Sequence, residues 1–252
     1  MTNYWDIVNK VIREADVLLL VVDSRQPEET RNQEIEQKIR ATGKQLLYVL
    51  NKCDLVSKER MTDIRTRFKP NIFVSCTKFY GSTRLRHAIV RYGAPIARRR
   101  NNEQVYVGVI GYPNVGKSSV INLLKGKGSA PTSPQPGFTK GYQYVRISQH
   151  ILLIDTPGVL TRDKKDERFA AKIGAKDPSK IKDPDLAAIA LIEELDGAVE
   201  KHYGVEPGPD NEETLERMAR KHHYLRHGGE PDIDRIARKI LQDWQSGKIR
   251  VE

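Results

Sequence analysis

Gly111-Tyr-Pro-Asn-Val-Gly116-Lys117-Ser118 sets two glycines, a lysine and a hydroxyl at the G-x-x-x-x-G-K-S spacing that cradles phosphate. Glycine lets backbone N–H groups turn toward an oxyanion with no Cβ in the way. Lys117 can reach the terminal phosphates, the Ser118 hydroxyl can ligate Mg²⁺, and the backbone of Asn114, Val115, Gly116 and Ser119 completes the cradle. A different chemistry lies upstream in Asn51-Lys52-Cys53-Asp54. A carboxylate at Asp54 can accept from both the ring N–H and the exocyclic amine of guanine, a donor pair adenine lacks. Asn51 can bond the other edge of the base and the Lys52 stem can lie over its face. Such a site discriminates because the wrong base leaves buried polar groups unmatched. Ser75-Cys76-Thr77 offers a backbone N–H to the guanine keto oxygen. Asp155-Thr-Pro-Gly158 supplies a carboxylate for Mg²⁺ and, at Gly158, an N–H for a γ-phosphate. The Thr139 hydroxyl completes the metal shell, with Thr132 as the alternative, which makes Lys117 and Thr139 the catalytic candidates.

These groups need a scaffold that brings them to one edge. Val17–Val22, Gln45–Leu50, Ile72–Val74, Val105–Ile110 and Ile151–Ile154 read as strands, and Val17–Val22 is apolar throughout, as a parallel strand buried on both faces would be. Helices are predicted over 3–14, 30–41, 57–68 and 82–91, and from Ser119 onward. Strands alternating with helices define a doubly wound, mostly parallel α/β sheet, whose ligands sit at the carboxyl ends of the strands. The polar runs at 51–54, 75–78 and 111–118 all fall at such ends. Residues 92–104 read as a basic linker, 126–141 and 155–165 as functional loops, and 142–148 as a further strand. Beyond 180 the pattern becomes wholly helical over 184–203, 212–226 and 231–245. Leu186, Ile189, Leu215, Met218, Ile233, Ile236, Ile240, Leu241 and Trp244 are its expected core. The domain expectation is therefore 1–165 for the nucleotide domain, 166–180 for a linker or switch extension, and 181–252 for a small all-helical domain.

The motifs are those of a GTPase in a rotated order, with the base-reading elements before the phosphate loop. The sequence resembles the circularly permuted GTPases, in the branch similar to ribosome biogenesis GTPase A, and 92–104 would join the usual ends of the domain. Asp23-x-Arg25-x-Pro27-x-x-x-Arg31-Asn32 also matches that branch. So does the tail Gly228-Gly229-x-x-Asp232-x-x-Arg235…Ile240-Leu241-x-Asp243…Gly247-Lys248. The resemblance implies a P-loop GTPase converting GTP to GDP and phosphate with Mg²⁺. It also implies a ribosomal partner, the large subunit and its RNA, and a helical domain that binds RNA. Asn114 resembles the asparagine through which related GTPases use potassium. Val159 stands where many GTPases carry a water-orienting glutamine, and no histidine precedes His87 to match the family's N-terminal histidine motif, so turnover without a partner should be slow. Because the permutation hangs 181–252 from the γ-phosphate-sensing loop, hydrolysis should re-aim the helical domain, the alternative being a fixed lid with the switch acting elsewhere.

Composition agrees with a polyanionic partner. The chain of 252 residues has a formal net charge of +10. Arg217, Arg220, Lys221, Tyr224 and Arg226 form a basic-aromatic cluster suited to RNA, with a solvated face as its plain alternative. His223 and His227, one turn apart if the helix runs through them, lack a third ligand for a metal. Two cysteines without ligand spacing, the lack of a membrane-length apolar run and the lack of a signal sequence point to a reducing cytoplasm and no membrane contact. The sequence leaves the oligomeric state open, with a monomer as the expectation. An RNA scaffold with incidental turnover, or a GTPase of tRNA modification, are the competing readings.

Overall fold

A computed structural model describes residues 4–126, 143–155 and 177–251. Among these, packing divides the chain into two units, 4–54 with 58–155, and 55–57 with 177–251.

The first unit is built on a six-stranded sheet in the order β3-β2-β1-β4-β6-β5. Its strands are β1 (Val17–Asp23), β2 (Gln45–Asn51), β3 (Asn71–Phe73), β4 (Val105–Ile110), β5 (Gln143–Arg146) and β6 (Ile151–Asp155). All pairings are parallel except the edge pair β5–β6. Every residue of β1 is buried, as its unbroken apolar run requires, because helices cover both faces of the sheet. Leu18, Leu20 and Val22 pack with α1 (Tyr4–Glu14), α3 (Gln33–Ala41) and α4 (Lys58–Arg67). The alternate residues Val17, Leu19 and Val21 pack with α5 (Ser82–Arg99) and α6 (Lys117–Lys125). A four-residue helix, α2 (Pro27–Thr30), precedes α3, so the single helix expected over 30–41 is two short pieces. The break falls at Arg31, which is extended, and Asn32 caps α3 by accepting from Ile35 N–H at 3.0 Å.

The expected linker over 92–104 is largely helix, since α5 runs to Arg99. Gly93 and Pro95 look like breakers in sequence, yet Leu85, Ile89, Gly93 and Ala97 form one buried stripe at four-residue spacing. Tertiary packing decides the matter: a Cβ on Gly93 would lie 2.1 Å from Val105 Cγ1, so the helix approaches β4 only through a glycine. Among the described residues the strand expected over 142–148 covers Gln143–Arg146.

The second unit holds α7 (Pro184–Leu195), α8 (Ala198–Tyr203), α9 (Asn211–Lys221) and α10 (Ile233–Ser246) around Leu191, Leu215, Met218, Ile236, Ile240 and Trp244. The helix expected over 184–203 breaks at Asp196-Gly197, both left-handed with φ of 42° and 82°. The helix expected over 212–226 ends at Lys221, with His223 left-handed at φ 59°. Leu186, expected in the core, is 37% exposed; Ala187 and Ala188 take the buried positions beside it. Residues 55–57, which directly follow the guanine-type motif, belong to this unit: Val251 N–H donates to the Leu55 carbonyl at 3.1 Å. An onset at 181 misses them.

Candidate nucleotide-binding site

Parallel pairing carries the ends of β1, β2, β3, β4 and β6 to one edge of the sheet, with Asp23 and Asn51 in register. At that edge the two expected stretches meet. Asn51 is buried, and its Nδ2 donates to the Val115 carbonyl of the phosphate loop at 2.8 Å while its Oδ1 accepts from Cys76 Sγ at 3.2 Å. Gly116, at φ 97°, is the residue that permits this approach, since a Cβ there would stand 2.2 Å from Asn51 Nδ2. Asn51 therefore staples the end of β2 to the loop at 111–118.

Lys52 also has a second role. Its Nζ lies 2.8 Å from Asp23 Oδ2, and the same carboxylate takes Arg25 NH2 at 2.7 Å. Burial would raise the Asp23 pKa, but Arg25 and Lys52 outweigh it and hold the carboxyl well below its usual range. Burial lowers Lys52 from its ordinary value against the pull of Asp23. This cluster gives the Asp23-x-Arg25 pattern a physical reason that the sequence alone does not display. Arg31 does similar work one turn on, pairing with buried Glu36 at 2.6 Å, to which Tyr48 Oη also donates at 2.8 Å.

Asp54 is held by Thr77 Oγ1 at 3.2 Å, and Ser75 Oγ bonds both Thr77 Oγ1 and the Lys78 N–H at 3.1 Å. The 51–54 and 75–77 motifs thus form one polar surface. Burial pushes the Cys53 and Cys76 thiols up to about 11, so both stay protonated and neither serves as a nucleophile. A cavity of about 390 Å³ is lined by Cys76, Thr77 and Phe79 on one side and by Ser119, Asn122 and Leu123 of α6 on the other. It lies between the expected base-reading loop and the helix that begins at Lys117.

In the phosphate loop Gly111 (φ 155°), Asn114 (φ 60°) and Gly116 are all left-handed. Lys117 Nζ donates to the Tyr112 carbonyl at 2.5 Å, and burial pulls its pKa down to about 8. Ser118 and Ser119 are exposed in the first turn of α6, where unpaired N–H groups favour an anion. The backbone of Asp155 ends β6 beside β4; its side chain lies outside the described residues, as do Gly158, Val159, Thr139 and Thr132.

The basic cluster of the helical unit is internally matched. Arg217 pairs with Glu213 at 2.8 Å, Arg220 with Glu216 at 3.9 Å and Arg226 with Asp232 at 3.8 Å. Lys221 bonds the Gly204 carbonyl and Arg235 lies 5.1 Å over the Tyr224 ring. His223 and His227 do not share a helix, because α9 has ended. Among the described residues no group of three or more His, Cys, Asp or Glu could hold a metal ion.

A loop of phosphate-binding spacing and a guanine-type motif meet at one edge of a parallel sheet, in the rotated chain order that resembles the circularly permuted P-loop GTPase fold. The profile described as "50S ribosome-binding GTPase" matches residues 106–223. An uncharacterized GTP-binding protein of Methanocaldococcus jannaschii is 41% identical over 96% of this chain and 65% of its own length. Nucleolar GTP-binding protein 2 of Yarrowia lipolytica is 37% identical over 97% of this chain and 49% of its own length. The chain thus spans about two thirds of the first relative and half of the second. The GNP-bound YlqF of T. maritima shares the fold at a TM-score of 0.66, covering 96% of this chain and 93% of that one at 24% identity. The chain is therefore similar to GTP-binding proteins over nearly its whole length, and it shares the YlqF fold.

One expectation is corrected. Several eukaryotic relatives carry nucleolar or nuclear names, among them that of Yarrowia lipolytica and a nuclear/nucleolar GTPase 2 of Oryza sativa, and those names point to the nucleolus rather than the cytoplasm. Free thiols indicate a reducing environment, which the nucleus shares, so the cysteines never separated the two.

Proposed function

We propose that this chain is a GTP-hydrolysing switch that acts on a ribosomal subunit, the large one, through its RNA. The observation that carries the nucleotide part is the Asn51–Val115 bond, which fixes the base-reading strand against the phosphate loop across 64 positions of sequence. Asp54, with Thr77 beside it, reads the guanine donors; Lys117 and the N–H groups of residues 114–119 bind the phosphates. Ser118, Asp155 and Thr139 are the hard oxygen donors that suit Mg²⁺ alongside nucleotide phosphates, and Ser118 is exposed at the helix start where such an ion would be met. Bound there, Mg²⁺ would neutralise charge developing on the transferred phosphoryl group. Asn114 is the residue through which potassium would assist. The ribosomal part draws on the profile's description and on the names of relatives. Within it, Arg217, Arg220, Lys221, Tyr224 and Arg226 are contacts of the helical unit with RNA.

The test is Asp54→Ala. The wild-type chain should prefer GDP over ADP by orders of magnitude, and the variant should lose most of that preference. A variant that still selects guanosine nucleotides would overturn the assignment. For the switch, turnover should rise sharply on adding large ribosomal subunits; a rate indifferent to them removes the partner.

A further inference from the structure

The charge of this chain is not shared between its parts. Residues 1–176 carry 31 Lys and Arg against 16 Asp and Glu, a net +15, whereas residues 177–252 carry 12 against 17, a net −5. The basic excess therefore resides outside the helical unit, and within that unit Arg217, Arg220 and Arg226 are paired with carboxylates as described above.

The excess is concentrated on α5. Its eighteen residues contain Arg84, Arg86, Arg91, Arg98 and Arg99 and no Asp or Glu. At 100° per residue, Leu85, Ile89, Gly93 and Ala97 point into the sheet, and Arg84, His87, Arg91 and Arg98 fall within about 60° of one another on the opposite side. All four are exposed. Arg86 is taken up by the Leu124 carbonyl at 3.1 Å, at the C-terminal end of α6. By contrast, no carboxylate among the described residues pairs with Arg84, Arg91 or Arg98. Arg84 bonds only Tyr80 Oη at 3.1 Å, and Arg91 lies 5.9 Å over the Tyr92 ring. Guanidinium groups resting on aromatic rings keep their charge available to a ligand. From Arg84 to Arg98 the row is about 21 Å long, with neighbouring arginines about 10 Å apart at the helical rise.

We infer that the outer face of α5 docks on the phosphate backbone of RNA and supplies the larger part of the salt-dependent affinity of this protein. This rests on the ribosomal reading above and names the surface that reading leaves open. An acid-free row of arginines on a rigid helix fits a polyanion and not a protein surface of mixed charge. Contacts made only to phosphates position the partner without reading its sequence.

The full chain, loaded with GDP, is titrated against a mixed-sequence hairpin RNA over a range of salt. The triple variant Arg84→Gln, Arg91→Gln, Arg98→Gln should bind at least about tenfold more weakly, and the slope of log K against log salt should flatten by about 2 to 3, the loss of three phosphate contacts. Its GDP affinity should be unchanged, since none of the three lies in the nucleotide site, and that reports an intact fold. Wild-type slope in this variant, with the loss appearing instead in Arg217→Gln, Arg220→Gln, Arg226→Gln, overturns the inference and leaves the RNA reading standing. No binding of the hairpin or of ribosomal RNA by the wild-type chain overturns both.

Discussion

Asn51 shows how far one side chain reaches at this site. Its carboxamide bonds Val115 on one side and Cys76 on the other, so Asn51→Ala leaves a buried carbonyl and a half-buried thiol without this partner and frees the phosphate loop. A cost of about 1–3 kcal/mol is expected in the free protein. GDP affinity should fall further, because the loop is no longer held for phosphate; a melting curve and a GDP titration separate the two, and equal wild-type affinity would refute the staple. Lys117 gives a pH signature. Burial lowers its pKa to about 8 in the free protein, while phosphate oxygens would restore it toward the ordinary value. The depressed value means that charge on Lys117 is disfavoured before the nucleotide arrives. Below pH 8 the lysine is already charged and affinity is level; above it binding must take up a proton, so GDP affinity should fall by up to tenfold per pH unit until the bound-state pKa is reached. Calorimetry in buffers of different ionisation enthalpy at pH 9 should register that uptake, and Lys117→Met should abolish it.

Elements explain which parts of this architecture were legible in advance. The apolar runs at β1, β2 and β4, each ending in a polar motif, state their own structure, since burial on both faces leaves no other pattern. The phosphate loop is legible for a different reason: its glycines are demanded by left-handed backbone at Gly111 and Gly116, and by the passage of Asn51. What stayed hidden depends on long-range packing. Pro95 and Gly93 suggest a linker, and only the closeness of Val105 reveals that the glycine is a contact surface inside a helix. Likewise the buried Asp23–Arg25–Lys52 cluster joins two strands, and nothing in either stretch alone announces the other. The end of α9 at Lys221 was hidden too, because the pairing of Leu225 with Pro231 competes with continued helix. Gly93→Ala tests the packing directly. Its added Cβ would meet Val105 at 2.1 Å, and helix propensity alone would favour alanine. Overpacking should dominate, with a loss of about 1–3 kcal/mol in denaturant unfolding. A stabilised variant would show that α5 does not lie against β4.

At the scale of the whole molecule the described residues gather their buried apolar surface in two separate stores. One surrounds the sheet, on both of its faces; the other gathers α7 to α10 about Trp244 and Met218. Every described group assigned to the nucleotide belongs to the unit of 4–54 and 58–155. Ligand binding stabilises only what it binds, by RT ln(1 + [L]/Kd), which is about 2.7 kcal/mol at a hundredfold excess over Kd. For a body of 150–250 residues this corresponds to about 5–11 °C in melting temperature. Differential scanning calorimetry should therefore show two transitions, and GDP should raise one of them by that amount while the other holds still. Hydrogen exchange gives the same partition residue by residue: slowed opening in β1, β2 and β4, unchanged opening in α9 and α10. If both transitions rise together, the two stores are thermodynamically one, and residues 55–57 are where to look. They follow Asp54 without a break yet pack with the helical unit, so a guanine held by Asp54 would act on that unit through three residues of chain. Loosening the 55–57 pairing by Val56→Gly should then split a joint transition in two, and would leave an already independent pair of transitions with only the helical one lowered.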